Sequence, residues 1–367
     1  MKIKILQKYL IAEFLKYFAV ALLSLTAFYI IVDFISNIGA FTKHSPEFKY
    51  VILYFIYKLP EIIYRMLPLS VLLATLLSIS FFNKNNEITA AKSSGLSMFR
   101  FFAPLIALGL AFSVFAFLLS NFIAVKSNVL RRVVMQRHIN KDKSYNAGSV
   151  YKYRTRNIFI HYKRCIITAK VMEARSKLIK GVNVYVFDGK FALIKRYIAK
   201  TGYFGENGLK LADGQEDKFN FETAVGFSQK SFKTIEIPIY LNLNFFRSYT
   251  LKPEFLSIIN LSDMIAVAKK SESGLSYVLT SYYSKISYPV INLILILLGI
   301  SLGLLLGKKG NSPVSVGISL LFAFVWWIIN SIALSLGETA QLNPFLSAFM
   351  ADIIFLSFAL YLITDID

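Results

Sequence analysis

The chain has 367 residues, 56% hydrophobic and 15% aromatic, with a mean hydropathy of +0.55 and a formal net charge of +20. Soluble globular domains are far more polar, so the composition sets that class aside and points to a protein of the lipid bilayer. Cys165 is the only cysteine, which excludes an intrachain disulfide framework and a cysteine-based zinc site, and His44, His138 and His161 lack metal-ligand spacing; no metal and no cofactor is expected.

In chain order, Lys2, Lys4 and Lys8 precede an apolar run that is too long for a signal-peptide core and lacks a small-residue cleavage site. It reads as an uncleaved first span, Phe14 to Ile35, since about twenty apolar residues cross a hydrocarbon core of roughly 30 Å. The second span looks split. Val51 to Tyr64 is interrupted by Lys58, Pro60 and Glu61, and Met66 to Phe82 completes it.

Between this and a third span, Phe99 to Ile123, stands the polar stretch "NNEITAAKSSGLSMFRFF". Ala90, Ala91, Ser93, Ser94 and Gly95 give it little bulk, and Glu87 near its start suits a helix dipole. A short helix able to lie in a partner's groove and a plain turn between spans both fit.

The apolar signal then stops until Ile286 to Leu306, Val314 to Leu336 and Phe345 to Ile363. Six spans result, three on each side of a large insert. Within the insert, Ser149 to Pro238 alternates with period two, as in "NIFIHY" from Asn157, "CIITAKV" from Cys165, "GVNVYVF" from Gly181 and "KTIEIPI" from Lys233. Turn signals stand at "DGK" (Asp188), "GENG" (Gly205) and "ADGQ" (Ala212). Short strands at near-regular spacing predict an antiparallel sandwich or roll. The strand through Val182, Val184 and Val186 is apolar on both faces, which fits a deep core or an apolar groove. From Leu256 to Lys270 the period lengthens towards 3.6, predicting a helical return to the membrane.

The predicted fold is therefore an α-helical membrane protein of six transmembrane helices with an all-β, jellyroll-like domain. Its parts are spans one to three in 1–124 with the short polar helix at 84–97, the β domain in 125–255, the helical return in 256–280, and spans four to six in 281–367.

Short-loop lysines and arginines set orientation. They gather at the N-terminus, at Lys84, Lys92 and Arg100, and at Lys308 and Lys309, while Gly337 to Pro344 has none, although Lys43 and Lys49 follow span one. Both termini and the polar stretch are thus expected in the cytoplasm and the insert outside. From Val125 to Thr280 there are 27 Lys and Arg against 12 carboxylates, a net of +15 (27 − 12). Such a surface fits a solvated face beside anionic lipid or an anionic cargo. Nucleic acid is not expected, because no groove-reading element accompanies the charge.

No catalytic constellation is present, and "GLLLGKK" at Gly303 fails as a phosphate-binding loop in spacing and context. Nucleotide energy, if used, must come from a partner. Gly299, Gly303 and Gly307 form a small-xxx-small ladder for close helix approach, or stand there by chance. Asp33, Lys58, Glu61, Arg65, Lys285 and Asp352 are ionisable residues near membrane depth, hence functional candidates. Snorkelling explains some of them, and Glu61 with Arg65 at i, i+4 is spaced to pair.

"LPLSVLLATLLSISFFNKNNEITAAKSSGLSMFRFFAPLIALGLAFSVFAFLLSNFIA" and "YYSKISYPVINLILILLGISLGLLLGKKG" with "GISLLFAFVWW" resemble the lipopolysaccharide-export permeases of the LptF/LptG family. The L-P-L, E-x-T-A-x-x-x-x-G and K-x-x-x-P elements stand in the expected order, and the phrasing of "GVNVYVFD" and "SGLSYVLTSYYSKISYP" leans to the LptG type. The chain departs from the pattern after span three, "SNFIAVKSN", and in span six, "AFMAD". The resemblance implies a second permease of the same type, an LptB-type cytoplasmic ATPase dimer, an LptC-type bridge protein and lipopolysaccharide as cargo, in the bacterial inner membrane with the β domain in the periplasm. It implies a non-enzymatic subunit whose Glu87, Ile88, Thr89, Ala90, Ala91 and Gly95 form the coupling helix to the ATPase.

The physics of the cargo agrees. Moving one acyl chain of about twelve carbons into water costs on the order of 10 kcal/mol, at about 0.8 per CH₂. The path must be apolar, with Ile160 and Val184 as candidate contacts in the β domain. Phosphates are expected to meet Lys43, Lys58, Arg65, Arg131, Arg132 and Lys285, at roughly 1.5–3 kcal/mol for each charge-assisted bond. An ion-driven lipid transporter working through Asp33 and Asp352, and a structural envelope scaffold, are the competing readings.

Overall fold

The computed structural model describes residues 2–43, 45–141, 154–162, 164–173, 178–189, 192–205, 208–219, 227–239, 256–271, 274–306 and 312–364. It divides into two compact units, Met1–Asp142 with Leu279–Asp367, and Lys143–Val278.

The first unit is helical. Its elements are α1 (Lys2–Ser36), α2 (Ile38–Lys43), α3 (Phe48–Lys84), α4 (Glu87–Ser93), α5 (Met98–Leu118) and α6 (Ala124–Val133), then α8 (Leu275–Leu306), α9 (Ser312–Glu338) and α10 (Pro344–Thr364). Six stretches among the described residues are long and apolar enough to cross a membrane: Ile5–Ser36, Phe48–Lys84, Met98–Ile139, Leu275–Leu306, Pro313–Glu338 and Pro344–Thr364.

Two of them differ from their sequence outline. The second is one unbroken helix with Pro60 and Pro68 inside it, where the sequence suggested two halves. Proline is tolerated in membrane helices when neighbouring groups satisfy the freed backbone, and the charges that resembled a break are paired, as shown below. The third continues beyond Ile123 to Ile139, through a π turn at Leu119–Ile123, α6, and a second π turn at Val134–Ile139. Lys126, Arg131 and Arg132 disguise this extension in the sequence, because they end the apolar run without ending the helix.

The glycines of α8 explain how it meets α3. A Cβ on Gly299 would lie 2.8 Å from the Thr75 side chain, and one on Gly303 would lie 2.6 Å from Ile79. Asn83 then donates to the Gly303 carbonyl at 2.9 Å across the same seam. Two of the ladder's three glycines thus set a close approach within this chain; Gly307 lies outside the described residues.

The second unit holds β1 (Arg154–Tyr162), β2 (Cys165–Glu173), β3 (Leu178–Phe187), β4 (Leu193–Gly205), β5 (Gly208–Phe219) and β6 (Phe227–Ile237), followed by α7 (Ile258–Ser271). The six strands form one antiparallel sheet in sequential order, β1-β2-β3-β4-β5-β6, an up-and-down meander. A β domain stands where the alternation placed it, though no crossover of the Greek-key kind occurs among the described strands. "ADGQ" is a correction: it lies inside β5, not in a turn. Asp213 takes a positive φ of 52°, which Asp tolerates, and Gly214 is required because a Cβ there would sit 2.3 Å from the Ile198 carbonyl oxygen and 2.6 Å from the Phe232 ring.

Burial changes sides along these strands. Ile167, Ala169, Val182, Val184, Tyr197 and Ala199 are buried on one face by their cross-strand register, while Ile179, Phe204, Leu209, Leu211 and Ile237 are buried on the other. That is why the sequence of β3 reads as apolar on both sides. Tyr197 donates to Glu216 at 3.2 Å, and burial, then the nearby carboxylate, pushes its hydroxyl up to about 12. Burial also raises the Cys165 thiol.

One buried charge fixes register here. Asp217, fully buried, accepts from its cross-strand partner Arg196 at 2.9 and 2.7 Å. Arg196→Met should cost about 3 kcal/mol by leaving that buried carboxylate unpaired, the low end for such a pair because Arg196 itself is 36% exposed. The check is limited proteolysis of the full-length protein: cleavage within β4–β5 should appear earlier, and Arg196→Met with Asp217→Leu should restore resistance.

Candidate functional site

Two places in the helical unit combine unusual chemistry with a fixed geometry. The first lies on α4. Asn86 enters it in the left-handed conformation at φ 57°, and Gly95 closes it at φ 76°. The Leu96 amide bonds the Ala91 carbonyl at 3.2 Å and the Gly95 amide bonds Lys92 at 3.0 Å, the paired bonds of a Schellman ending. Nothing lies within 4 Å of a Cβ built on Gly95, so the glycine answers to backbone conformation and not to space. Ser97 then caps α5 by accepting from the Arg100 amide at 3.4 Å. The polar stretch is therefore a real helix, shorter than 84–97, with a defined stop.

Its residues divide sharply. Ile88 and Ala91 are buried in a cluster with Leu10, Phe14, Phe82, Phe101 and Phe102. Thr89, Ala90, Lys92, Ser93 and Gly95 are exposed, and Glu87 is half-buried. So Ile88 and Ala91 anchor the helix to its own chain, while the small outer side chains present a smooth face.

The second place is a charge cluster between spans one, two and three. Tyr54, Lys58, Glu61 and Arg65 recur on α3 at spacings of four, three and four, which puts them on one helical face. Lys58 donates to Asp33 of α1; Tyr54 bonds the other Asp33 oxygen at 3.2 Å and the Lys58 amine at 3.3 Å. The Lys58 ammonium also lies 5.8 Å from the Tyr29 ring centroid and 5.5 Å from that of Tyr54. Glu61 takes Arg65 on Oε1, at 3.0 Å from Nε and 2.8 Å from the terminal nitrogen, and Arg131 of α6 on Oε2 at 3.3 Å. Lys58 and Glu61 are 6% and 8% exposed, so these two are interior and not snorkelling, whereas Arg65 keeps 46% of its side chain exposed.

The cluster continues into spans four to six. Lys285 reaches the carbonyl of Ser120, within the π turn, at 3.5 Å. One turn on, Tyr288 donates to the Arg65 carbonyl at 3.3 Å and packs on Tyr64 at 4.7 Å and Trp326 at 5.4 Å. Trp326 in turn donates to Asp352, buried in α10, at 3.3 Å. An aromatic chain thus links the ionic groups to the one carboxylate of span six.

A family model described as lipopolysaccharide export system permease LptF/LptG matches residues 8–365. The chain belongs to that family. It is a multi-pass membrane protein and a permease of lipopolysaccharide export, a transport subunit by kind. The family model covers both the LptF and the LptG type. A search of the curated proteins found no match.

The permease brings together three of the basic residues singled out in its sequence, Lys58, Arg65 and Arg131, and supplies each with a carboxylate. Arg132 and Lys285 are half-buried nearby in sequence and span, and Lys43 is exposed at the end of α2. Val184 is fully buried in the β unit, and Ile160 stands in the same cross-strand row, paired through Ile167. Sequence reasoning missed Tyr54 and the Asp33–Lys58 pair; the heptad-like spacing of Tyr54, Lys58, Glu61 and Arg65 was the signal available. Among the described residues no group of three or more His, Cys, Asp and Glu side chains could hold a metal ion.

Proposed function

We propose that this permease extracts lipopolysaccharide from the inner membrane and hands it to its periplasmic β domain, driven by a separate cytoplasmic ATPase. The division of α4 into an anchored face and a smooth outer face carries this reading. A helix held by Ile88 and Ala91 and exposing Thr89, Ala90 and Ser93 has the build of a rigid peg for a partner's groove. The partners are an LptB-type ATPase dimer at α4, a second LptF/LptG-type permease and an LptC-type bridge. Both termini are cytoplasmic, following the lysines and arginines at Lys84, Lys92 and Arg100.

The geometry supports motion transfer. Arg65 and Glu87 are separated by about 20 residues, most of them in α3, hence by about 30 Å at 1.5 Å per residue. The unbroken α3 therefore joins the peg at one membrane face to the ionic cluster towards the other. In this reading Lys43, Arg65, Arg131, Arg132 and Lys285 meet the phosphates of the glycolipid, and Ile160 and Val184 line its acyl path once the β unit opens.

The test separates the two faces of α4. Ala90→Arg should reduce ATPase recovery with the affinity-purified permease about tenfold, the loss of some 1.4 kcal/mol from a central contact, with thermal stability unchanged. Ile88→Ala should lower stability first. Full ATPase recovery and normal export in Ala90→Arg would remove the peg.

A further inference from the structure

The ionic cluster contains three cations, Lys58, Arg65 and Arg131, and two carboxylates, Asp33 and Glu61. Asp33 and Lys58 satisfy each other, with Tyr54 closing the triangle. Two guanidinium groups from different helices are left sharing one carboxylate, so the cluster holds one positive charge in excess. That charge is open to the surroundings at Arg65, whose side chain is 46% exposed, and largely shielded at Arg131, 15% exposed, where leaving it unanswered is the more costly.

The sharing is also unequal. Both close contacts from Arg65 go to Glu61 Oε1. Arg131 lies 3.3 Å from Oε2, yet that oxygen, though buried, accepts no aligned hydrogen bond. The side chain of Arg65 is 46% exposed, against 10% for Glu61 and 15% for Arg131. A ligand can therefore approach through Arg65 while the second guanidinium waits behind it. Guanidinium forks match phosphate as they match carboxylate, and a phosphate ester offers two guanidiniums more acceptor oxygens than the single carboxylate they share here.

We propose that the Glu61 carboxylate occupies the phosphate site of Arg65 and Arg131 in the unloaded permease and must vacate it on loading. Glu61 acts as a built-in competitor. It keeps two arginines neutralised in the bilayer when no lipid is bound and weakens the hold on a lipid that must later be released. The proposal rests on the export reading for its cargo but concerns one local exchange. Apparent affinity is reduced by the fraction of time a site is unavailable, so a carboxylate resident about 80–90% of the time lowers it about five- to tenfold.

The experiment uses the purified permease complex in nanodiscs and measures retention of three probes: lipopolysaccharide, the same glycolipid after enzymatic dephosphorylation, and phosphatidylglycerol. Glu61→Gln should bind intact lipopolysaccharide about five- to tenfold more tightly and leave the dephosphorylated form unchanged. Adding Arg131→Gln should cancel the gain. A parallel gain for phosphatidylglycerol assigns the site to lipid phosphates in general, and a gain confined to lipopolysaccharide assigns it to cargo; either supports the exchange. If Glu61→Gln does not insert, Glu61→Asp, too short to span both guanidiniums, should shift binding in the same direction. Equal or weaker binding by the folded Glu61 variant overturns the exchange while native retention leaves the export reading standing. A native complex that holds neither phosphorylated lipid overturns both.

Discussion

Gly303→Ala is expected to lower the thermal stability of the detergent-solubilised permease by about 1–3 kcal/mol, the cost of forcing one methyl into a packed seam. The added Cβ would lie 2.6 Å from Ile79 Cγ2 and 2.9 Å from its Cβ, and the second of these is too near the backbone to swing away. Retreat of α8 would also stretch the 2.9 Å bond from Asn83 to the Gly303 carbonyl. Membrane helices gain nothing from excluding water between them, so close packing and such bonds are what hold them together. A valine should cost more than the alanine. Ile79→Ala in the Gly303→Ala background should recover part of the loss, because it removes the Cγ2 and Cδ1 methyls in conflict and leaves only the Cβ contact at 2.9 Å. Additive losses in the double variant would mean that the seam is not where the stability lies.

That seam was half legible. The spacing of Gly299 and Gly303 announces a close approach, but nothing in the spacing says whether the neighbour is another chain or, as here, α3. The same limit applies elsewhere. Hydropathy located the six spans because burial in lipid demands a run of apolar side chains. It misplaced the end of the third, where Arg131 and Arg132 interrupt the run while the helix continues. It also read Lys58, Pro60 and Glu61 as a break, since hydropathy counts a charge as unpaired. The partners that cancel those charges, Asp33 and Arg131, stand 25 and 70 positions away in sequence. Local patterns can show which residues share a face of α3; they cannot show what that face meets.

In the β unit the alternation was reliable and the turns less so. Asp188 and Gly189 follow the end of β3, and Gly205 and Gly208 end β4 and open β5, whereas Asp213 and Gly214 serve a strand interior where a phenylalanine ring and a carbonyl press on the backbone. The small-residue helix shows the converse. Its glycine, Gly95, entered the sequence reading only as a residue of little bulk within 84–97, yet it is the stop, and a left-handed residue at a helix end is a local matter. The inward role of Ile88 and Ala91 required the aromatic residues of α3 and α5 to be in place.

Lys58→Met is expected to be among the most damaging single changes in the protein. It would leave Asp33, with 12% of its side chain exposed, as a buried carboxylate supported by Tyr54 alone among its partners described above. Removing one member of a buried pair costs about 3–5 kcal/mol, mostly through the charge left behind. The expected result is low membrane yield and early thermal unfolding. Asp33→Asn with Lys58→Met should recover most of that loss, because it removes the stranded charge together with its partner and leaves an amide for Tyr54 to bond. The same double variant decides what Lys58 is for. If the ammonium serves the cargo's phosphates, lipopolysaccharide-stimulated ATP turnover in the reconstituted complex should stay depressed although the protein folds. If turnover returns with stability, Lys58 is a strut for the C-terminal end of α1, and the phosphate chemistry belongs to Arg65 and Arg131, the pair whose single carboxylate leaves a charge to be answered.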